Sequence, residues 1–544
     1  MVKYFTEHKQ STTKRIKSEK ILAQLAQADE YYSKRQYNEA IDIYKSLEDK
    51  IDDSYRYDKC ELYRKMGNNY YAMPDYDNAI IAYEKTLKYY NNNASIYNML
   101  GFMYFYKDSS KSIEYYLKKM KLAPELKTFV MLTQVMIKSK DYGQKDLKEI
   151  FEHYVDKFRP EILAGKEPYH YDYKSFDPNK KLKIGYLSSD FYTHAMMQFV
   201  IPILEHHDKE KFDFVLYSCS DRCDIATNRI KETGMKFEEC HALTNEELVQ
   251  KIHDDGVDIL VDLGGYTHSR IWTLLYKPAP IQIQYLGFLG TYGMREVDYI
   301  LADKFTIPED IAQYYTEKPL YINCGMNRFN FSTRNQKFLD IPPLPYLKNG
   351  YITFGSFNCL SKINPYTVSV WSKILKAVPN SKLLIYRTQL QDRDIVRYKK
   401  QFKENDIDEN RIIFDNKPAK PNHFAAYPKC DIALDPLPFS GLTITIELLH
   451  SGIPVLCMPG ETIASKGAAR VCKMMKLNEF VADSEQELVE LAVNLTSDIE
   501  KLKWYRENLR TIVFNSEMFN NYDKYVQQIE NAYQNAWENF CKGL

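Results

Sequence analysis

Residues 430–465, CDIALDPLPFSGLTITIELLHSGIPVLCMPGETIAS, contain two short apolar runs, IALDPL and IPVLCM, of the kind found in parallel sheets covered on both faces. The segment between them, LTITIELLHSG, predicts about three helical turns. Where a strand feeds directly into a helix, free backbone N–H groups and the positive end of the helix dipole face outward. Gly441 lets backbone approach a ligand closely, and the Thr443 and Thr445 hydroxyls add donors, so the junction reads as an anion cradle. A Ser/Gly/Thr cap in an ordinary α/β domain gives the same local pattern. The neighbouring segments decide between the two.

In YITFGSFNCLSKINP, residues 351–365, a strand runs into a loop that carries Lys362 just ahead of a helix. Pro365 suits the first helical turn and Asn364 is a good cap. RIIFDNKPAKPNHF, residues 411–424, is another strand, followed by a loop with Lys420 and His423. In open α/β sheets ligands bind beyond the carboxyl ends of the strands, so Lys362, Lys420, His423 and the Gly441/Thr443 turn are expected to line one pocket.

Upstream, KLKIGYLSSDF, FDFVLYSCS, VDILVDLGGYT and VDYILAD read as strands, with NEELVQKIHDDG as an amphipathic helix, an alternation that gives a second parallel sheet. His194 follows the first of these strands, and an imidazole there can take or relay a proton near neutral pH. Gly264-Gly265 marks a tight strand-end turn where backbone can approach a ligand. Residues 160–180, rich in Pro, Tyr and charge, read as a linker. Ahead of it the chain repeats. Small and aromatic residues alternate at Ala28, Tyr31, Ala40 and Tyr44, at Gly67, Tyr70, Ala79 and Tyr83, and at Gly101, Tyr104, Ser112 and Tyr116. The 34-residue step from Gly67 to Gly101 is the tetratricopeptide period. A further helical stretch, TFVMLTQVMIKSKDYGQKDLKEIFEHYVDKF, is expected to close the array against the catalytic part.

Lys plus Arg equals Asp plus Glu at 73 each among 544 residues, a balance that gives no push toward nucleic acid or an anionic membrane, and neither is expected as partner. The amino terminus has no apolar core of signal-peptide length and no run of about 18 apolar residues follows, so the expected place is the cytoplasm or nucleus. The 10 cysteines are scattered without zinc-type spacing and read as reduced thiols.

SFNCLSKINP, RIIF followed by AKPNHF, LDPLPFSGLTITIELLHSGIPVLCMPGETIAS, KLKIGYLSSDFYTHA, VDILVDLGGYT and KPAPIQIQYLGFLGTYG occur in the order of the catalytic region of the O-linked N-acetylglucosamine transferase family, which this chain resembles from about Lys181 to Phe519. The resemblance implies a tetratricopeptide-type α-solenoid followed by two Rossmann-like domains, the GT-B glycosyltransferase architecture. It divides the chain into helical repeats (1–160), linker (161–180), a first Rossmann-like domain (181–345), a second, nucleotide-sugar-binding one (346–515) and a C-terminal helix (516–544). It matches Lys362 to the lysine that holds the donor diphosphate, Gly441 and Thr443 to the phosphate-binding helix start, Lys420 and His423 to groups near ribose and uracil, and His194 to the active-site histidine of the first half. Asn358 and Thr445 complete the implied donor set.

The implied reaction is inverting transfer of N-acetylglucosamine from UDP-N-acetylglucosamine to Ser or Thr hydroxyls of proteins, with acceptors held in the tetratricopeptide groove. No cofactor or metal is expected, because Lys362 and backbone donors answer the diphosphate charge; Asp392-Arg393-Asp394 and Asp406-Ile407-Asp408 lie in a charged, surface-like stretch. The sequence also departs from the family pattern. Cys359 stands where an amide is usual, Leu442 and Ile444 flank Thr443, and Gln198 replaces the second histidine of the animal sequences. These departures leave room for a related protein glycosyltransferase that uses another UDP-hexose or an Asn acceptor, or for a catalytically weak repeat scaffold that binds nucleotide sugar.

Overall fold

The computed structural model describes residues 14–331 and 339–544. The reading of the amino terminus as free of a signal peptide falls largely on residues 1–13, outside the described residues. Packing divides the chain into two units, Met1–Val135 and Met136–Leu544.

The first unit is built of helical hairpins: Glu19–Ser33 with Tyr37–Glu48, Arg56–Ala72 with Tyr76–Tyr89, and Ala94–Tyr104 with Ser109–Leu122. Asp75, Asn93 and Asp108 cap helix starts by accepting from the amides of Asn78, Ile96 and Lys111. The repeated small residues let the paired helices touch. A Cβ on Gly67 would stand 2.6 Å from the Tyr83 ring, and one on Gly101 2.6 Å from the Tyr116 ring. The buried tyrosines finish their bonds across the hairpin, Tyr44 donating to Asp29 Oδ1 at 2.5 Å and Tyr83 to Asn68 Oδ1 at 2.7 Å.

The second unit carries two all-parallel sheets. The first contains β1 (Leu182–Ser188), β2 (Phe212–Ser218), β3 (Lys236–Glu239), β4 (Ile259–Asp262), β5 (Ile281–Gln284), β6 (Tyr299–Ala302) and β7 (Lys318–Tyr321), in spatial order 3-2-1-4-5-6-7. The second contains β8 (Thr353–Ser356), β9 (Lys382–Tyr386), β10 (Ile412–Asp415), β11 (Ile432–Leu434) and β12 (Val455–Leu456), in order 10-9-8-11-12. Both orders reverse beside their first strand, as Rossmann-like sheets do, and open a crevice at the carboxyl ends. Burial of central strands such as β1, β4 and β11 is nearly complete on both faces, which is why they read as continuous apolar runs.

Two elements differ from the sequence reading. The stretch Gln144–Leu163, expected within the repeat region to residue 160 and the start of the linker, is one helix packed inside the second unit. Its Phe151 ring meets Tyr266 and Phe288, Tyr276 donates to Ile162 O at 2.5 Å, and Arg159 pairs with the buried Glu296. Periodicity shows that a helix is amphipathic but not which surface receives it. The helix after the phosphate-type turn, expected to make about three turns, spans only Thr443–His450. Leu442 serves as its N-cap residue, and Gly452 in the left-handed region (φ 76°) turns the chain into β12.

The C-terminal helix, Tyr522–Cys541, returns to the first sheet. Tyr525 OH lies 2.6 Å from Tyr285 OH, Tyr533 OH 2.9 Å from Tyr186 OH, and Glu530 Oε1 2.9 Å from His207 Nδ1. Some of the 45 tyrosines thus turn polar tips toward one another inside a core. Among the described residues no helix is long and apolar enough to cross a membrane.

Because Arg159 answers the buried Glu296, the fragment 136–544 is expected to melt cooperatively. A fragment starting at Tyr173 strands Glu296 and bares the wall around Tyr266, so its Tm falls by on the order of 10 °C. Calorimetry of both fragments checks this; equal melting temperatures would show that the helix contributes nothing to the unit.

Candidate active site

The site is organised at the carboxyl end of β11. The chain leaves the strand at Asp435, whose buried carboxylate accepts from Ser440 Oγ at 2.5 Å and from the Gly441 amide at 2.8 Å, closing residues 435–441 into a tight loop. Ser440 Oγ in turn accepts from the Ala468 amide at 2.8 Å. The helix Gly467–Met474 thereby clamps the loop from behind. The fit tolerates no extra atoms: a Cβ on Gly467 would lie 2.7 Å from Gly441 O, and one on Gly441 3.0 Å from both Asn358 Oδ1 and Asp435 Oδ1. Glycine at 441 is therefore needed for close approach. The helix Thr443–His450 starts here, and the amides of its first turn have no intrahelical acceptor.

Lys362 reaches the same point from the loop after β8. Its Nζ donates to Ser440 O at 2.7 Å and sits 4.2 Å above the centroid of the Phe439 ring. Asn364 caps the helix Pro365–Ala377 through Thr367 N at 2.9 Å and also donates to Leu437 O at 2.7 Å, tying the Lys362 loop to the Asp435 loop. Lys362 keeps part of its surface exposed, yet burial pushes its ammonium down to about 8, against the pull of Asp435. Burial pushes Asp435 up to about 7, opposed by its bonds from Ser440 and Gly441 and by Lys362. The result is a cation beside a helix start.

The other expected donor residues fall into separate roles. Asn358 is buried against Gly441. The Thr443 hydroxyl, at the first helical position, is partly exposed, whereas Thr445 is buried and donates to Gly441 O at 3.2 Å, so it braces the turn instead of presenting a donor. His423 follows β10, half-exposed, with Nε2 3.3 Å from Glu447 Oε2; Tyr427 donates to the same oxygen at 2.5 Å. Glu447 belongs to the helix Thr443–His450, so this carboxylate joins the His423 loop to the phosphate-type turn. The Lys420 side chain is exposed, three residues before His423. Asp394 caps its helix by accepting from Gln391 N, Asp406 pairs with Lys376, and Asp408 accepts from Asn410 N, so these carboxylates hold surface structure.

At the first sheet, His194 follows β1 with 41% of its side chain exposed, its Nδ1 3.7 Å from Asp190 Oδ2. It belongs to the other domain's edge and contacts Asp190, Tyr192 and the Met196 amide, not the Lys362 group. The Gly264-Gly265 turn is not open to a ligand as expected. The His268 ring covers it so closely that a Cβ on Gly264 would lie 1.8 Å away, while Gly265 N donates to the buried Asp262 at 2.6 Å. Past β5, Leu286 is held at φ 68° and Gly287 packs onto Leu263 O, a strained corner at this carboxyl edge. The helix Gly467–Met474 and the residue ahead of it link the edges: Arg470 Nη1 donates to Thr306 Oγ1 at 3.3 Å and Lys466 Nζ to Thr306 O at 3.2 Å.

Sequence reasoning missed Asp435, Glu447 and Asp262. Asp435 had a usable signal, a carboxylate at a strand end six residues before Gly441. Glu447 and Asp262 read as part of a helix and a strand and gave none.

A free-site lysine at about 8 has a kinetic consequence. The charged form, needed for an anionic ligand, prevails below that pH, so donor kcat/KM should fall about tenfold per pH unit above it. Bound diphosphate favours the ammonium and should hold kcat level to higher pH. A flat kcat/KM between pH 7 and 9.5 would remove Lys362 from anion binding.

The model of glycosyl transferase family 41 matches residues 154–340 and 344–529. The chain is 32% identical over 380 residues to "Probable UDP-N-acetylglucosamine--peptide N-acetylglucosaminyltransferase SPINDLY" of Arabidopsis thaliana, covering 68% of this chain and 40% of that one. It is 29% identical over 372 residues to the similarly named SEC of the same plant, covering 67% and 38%. The chain thus spans about 40% of the length of these relatives. Among solved structures, an O-GlcNAc transferase mutant from Thermobaculum terrenum superposes with a TM-score of 0.73 at 24% identity, covering 96% of this chain and 98% of that one, and so shares the fold. With both Rossmann-like domains matched in order, the chain belongs to glycosyl transferase family 41.

Proposed function

We propose that this chain is an inverting glycosyltransferase that moves N-acetylglucosamine from UDP-N-acetylglucosamine to Ser or Thr hydroxyls of proteins. The observation that carries the proposal is the Lys362–Ser440 bond of 2.7 Å, which fixes an ammonium group beside the first turn of the helix Thr443–His450. As the acceptor oxygen bonds to the anomeric carbon, the bond to the diphosphate oxygen breaks, and the negative charge left on the diphosphate meets that ammonium and the helix amides. His423, Lys420 and Asn358 are the proposed contacts to the nucleoside and Thr443 a further phosphate donor. His194, exposed at the edge of the first sheet, is the proposed acceptor of the hydroxyl proton. The names of the plant relatives state the same donor and a peptide acceptor. In this reading the helical hairpins present protein acceptors, and the ten free cysteines suit work in the cytoplasm or nucleus.

The test is a panel of UDP-sugars offered to the purified chain with Ser/Thr and Asn peptides, scoring donor hydrolysis and transfer. N-acetylglucosamine transfer to hydroxyls is expected to lead, and a preference for another hexose or for Asn would replace the donor or acceptor assignment. Lys362→Met is expected to lower kcat/KM by about a hundred- to a thousandfold with an unchanged melt. An unaffected variant would take the central group out of the site. Because lysine and amides balance the charge, transfer should persist in excess chelator, and loss restored by magnesium would contradict that account.

A further inference from the structure

Between the helices Leu126–Met136 and Gln144–Leu163 runs a short connection from Ile137 to Gly143, packed within the second unit. It touches both Rossmann-like domains. A Cβ on Gly290 of the first domain would lie 3.2 Å from Ile137, and Gln144 donates to Tyr314 O at 3.1 Å. Toward the second domain, Lys140 sits 4.7 Å over the Tyr366 ring, and the Gln144 amide donates to Glu461 Oε1 at 3.1 Å. The connection is thus held at several points.

Lys138 projects from it toward the donor site. Its Nζ is 5.9 Å from the centroid of Phe439, the same ring that carries Lys362 Nζ at 4.2 Å. Two ammonium groups from distant parts of the chain therefore share one ring, and that ring adjoins the Ser440–Gly441–Thr443 turn. Asp435, bonded by Ser440 and Gly441, also favours the charged form of Lys362. Burial pushes Lys138 downward, with Cys359 opposing, and the charge on Lys138 in turn pushes Lys362 down. A multiply charged anion at this turn attracts both ammonium groups.

We propose that Lys138 is a donor-binding residue that contacts the diphosphate of the nucleotide sugar together with Lys362, so that the donor pocket takes one of its cations from the connection ahead of the first catalytic domain. The inference rests on the proposed donor reading and adds a residue to it.

Calorimetric titration of the full chain with UDP, GDP and uridine tests it, with Lys138→Met and Lys138→Arg alongside wild type. Lys138→Met is expected to weaken diphosphate binding about ten- to a hundredfold and leave uridine unchanged, and Lys138→Arg to retain most of the affinity. UDP affinity within twofold of wild type in a folded Lys138→Met, or an equal loss for uridine, overturns the assignment while leaving the donor reading intact. Wild type that binds no nucleoside diphosphate overturns both. Should Lys138→Met fold poorly, amine footprinting of the wild type decides the matter: UDP, but not uridine, is expected to protect Lys138 from acylation, and equal labelling with and without UDP overturns the inference.

Discussion

The buried carboxylate of Asp435 is the constraint on which the site depends. It stands at the end of β11, where a parallel strand must release the chain toward a helix, and it collects the Ser440 hydroxyl and the Gly441 amide. With that loop closed, Ser440 can receive the Ala468 amide on one side and offer its carbonyl to Lys362 on the other. The cost is a carboxylate held in low dielectric, pushed up to about 7. Two hydrogen bonds and a nearby ammonium offset that cost. Removal of the carboxylate would leave the Gly441 amide and the Ser440 hydroxyl to find other partners in a space too tight for a Cβ.

The same logic ties the two Rossmann-like domains together. The helix that clamps Ser440 sends Arg470 to Thr306 of the first domain, and Lys466 just ahead of it reaches the same residue, so the loop that shapes the anion site is part of the domain contact. The C-terminal helix returns from the second domain to the first sheet and is fixed there by paired tyrosine hydroxyls and the Glu530–His207 bond. Buried pairs of this kind fix one arrangement, because a hydroxyl that loses its partner is left unsatisfied.

Much of this was legible in the sequence. The strand runs of β1, β2, β4, β6, β8, β10, β11 and β12, the Asn364 cap with Pro365, the repeated small and tyrosine positions of the hairpins, and the meeting of Lys362 with the Gly441 turn follow from local patterns with a fixed physical meaning. What escaped depends on partners distant in sequence. The helix Gln144–Leu163 carries a periodicity that fits either unit, and its place is set by Glu296 and the aromatic wall of the first Rossmann-like domain. Thr445 reads as a donor for a ligand until its hydroxyl is seen to brace Gly441 O. Gly264 reads as open backbone until the His268 ring is seen to cover it. Glu447 reads as one more helical residue, and only the fold brings His423 and Tyr427 to it.

The central claim is that the ammonium of Lys362 and the first turn of the helix Thr443–His450 together form the seat of the donor diphosphate. A crystal structure of the chain with UDP tests it most directly. The account predicts phosphate oxygens within hydrogen-bond distance of Lys362 Nζ and of the Thr443 and Ile444 amides, with the Asp435 loop unmoved. A diphosphate seated elsewhere, with Lys362 still bonded to Ser440 O alone, would contradict it.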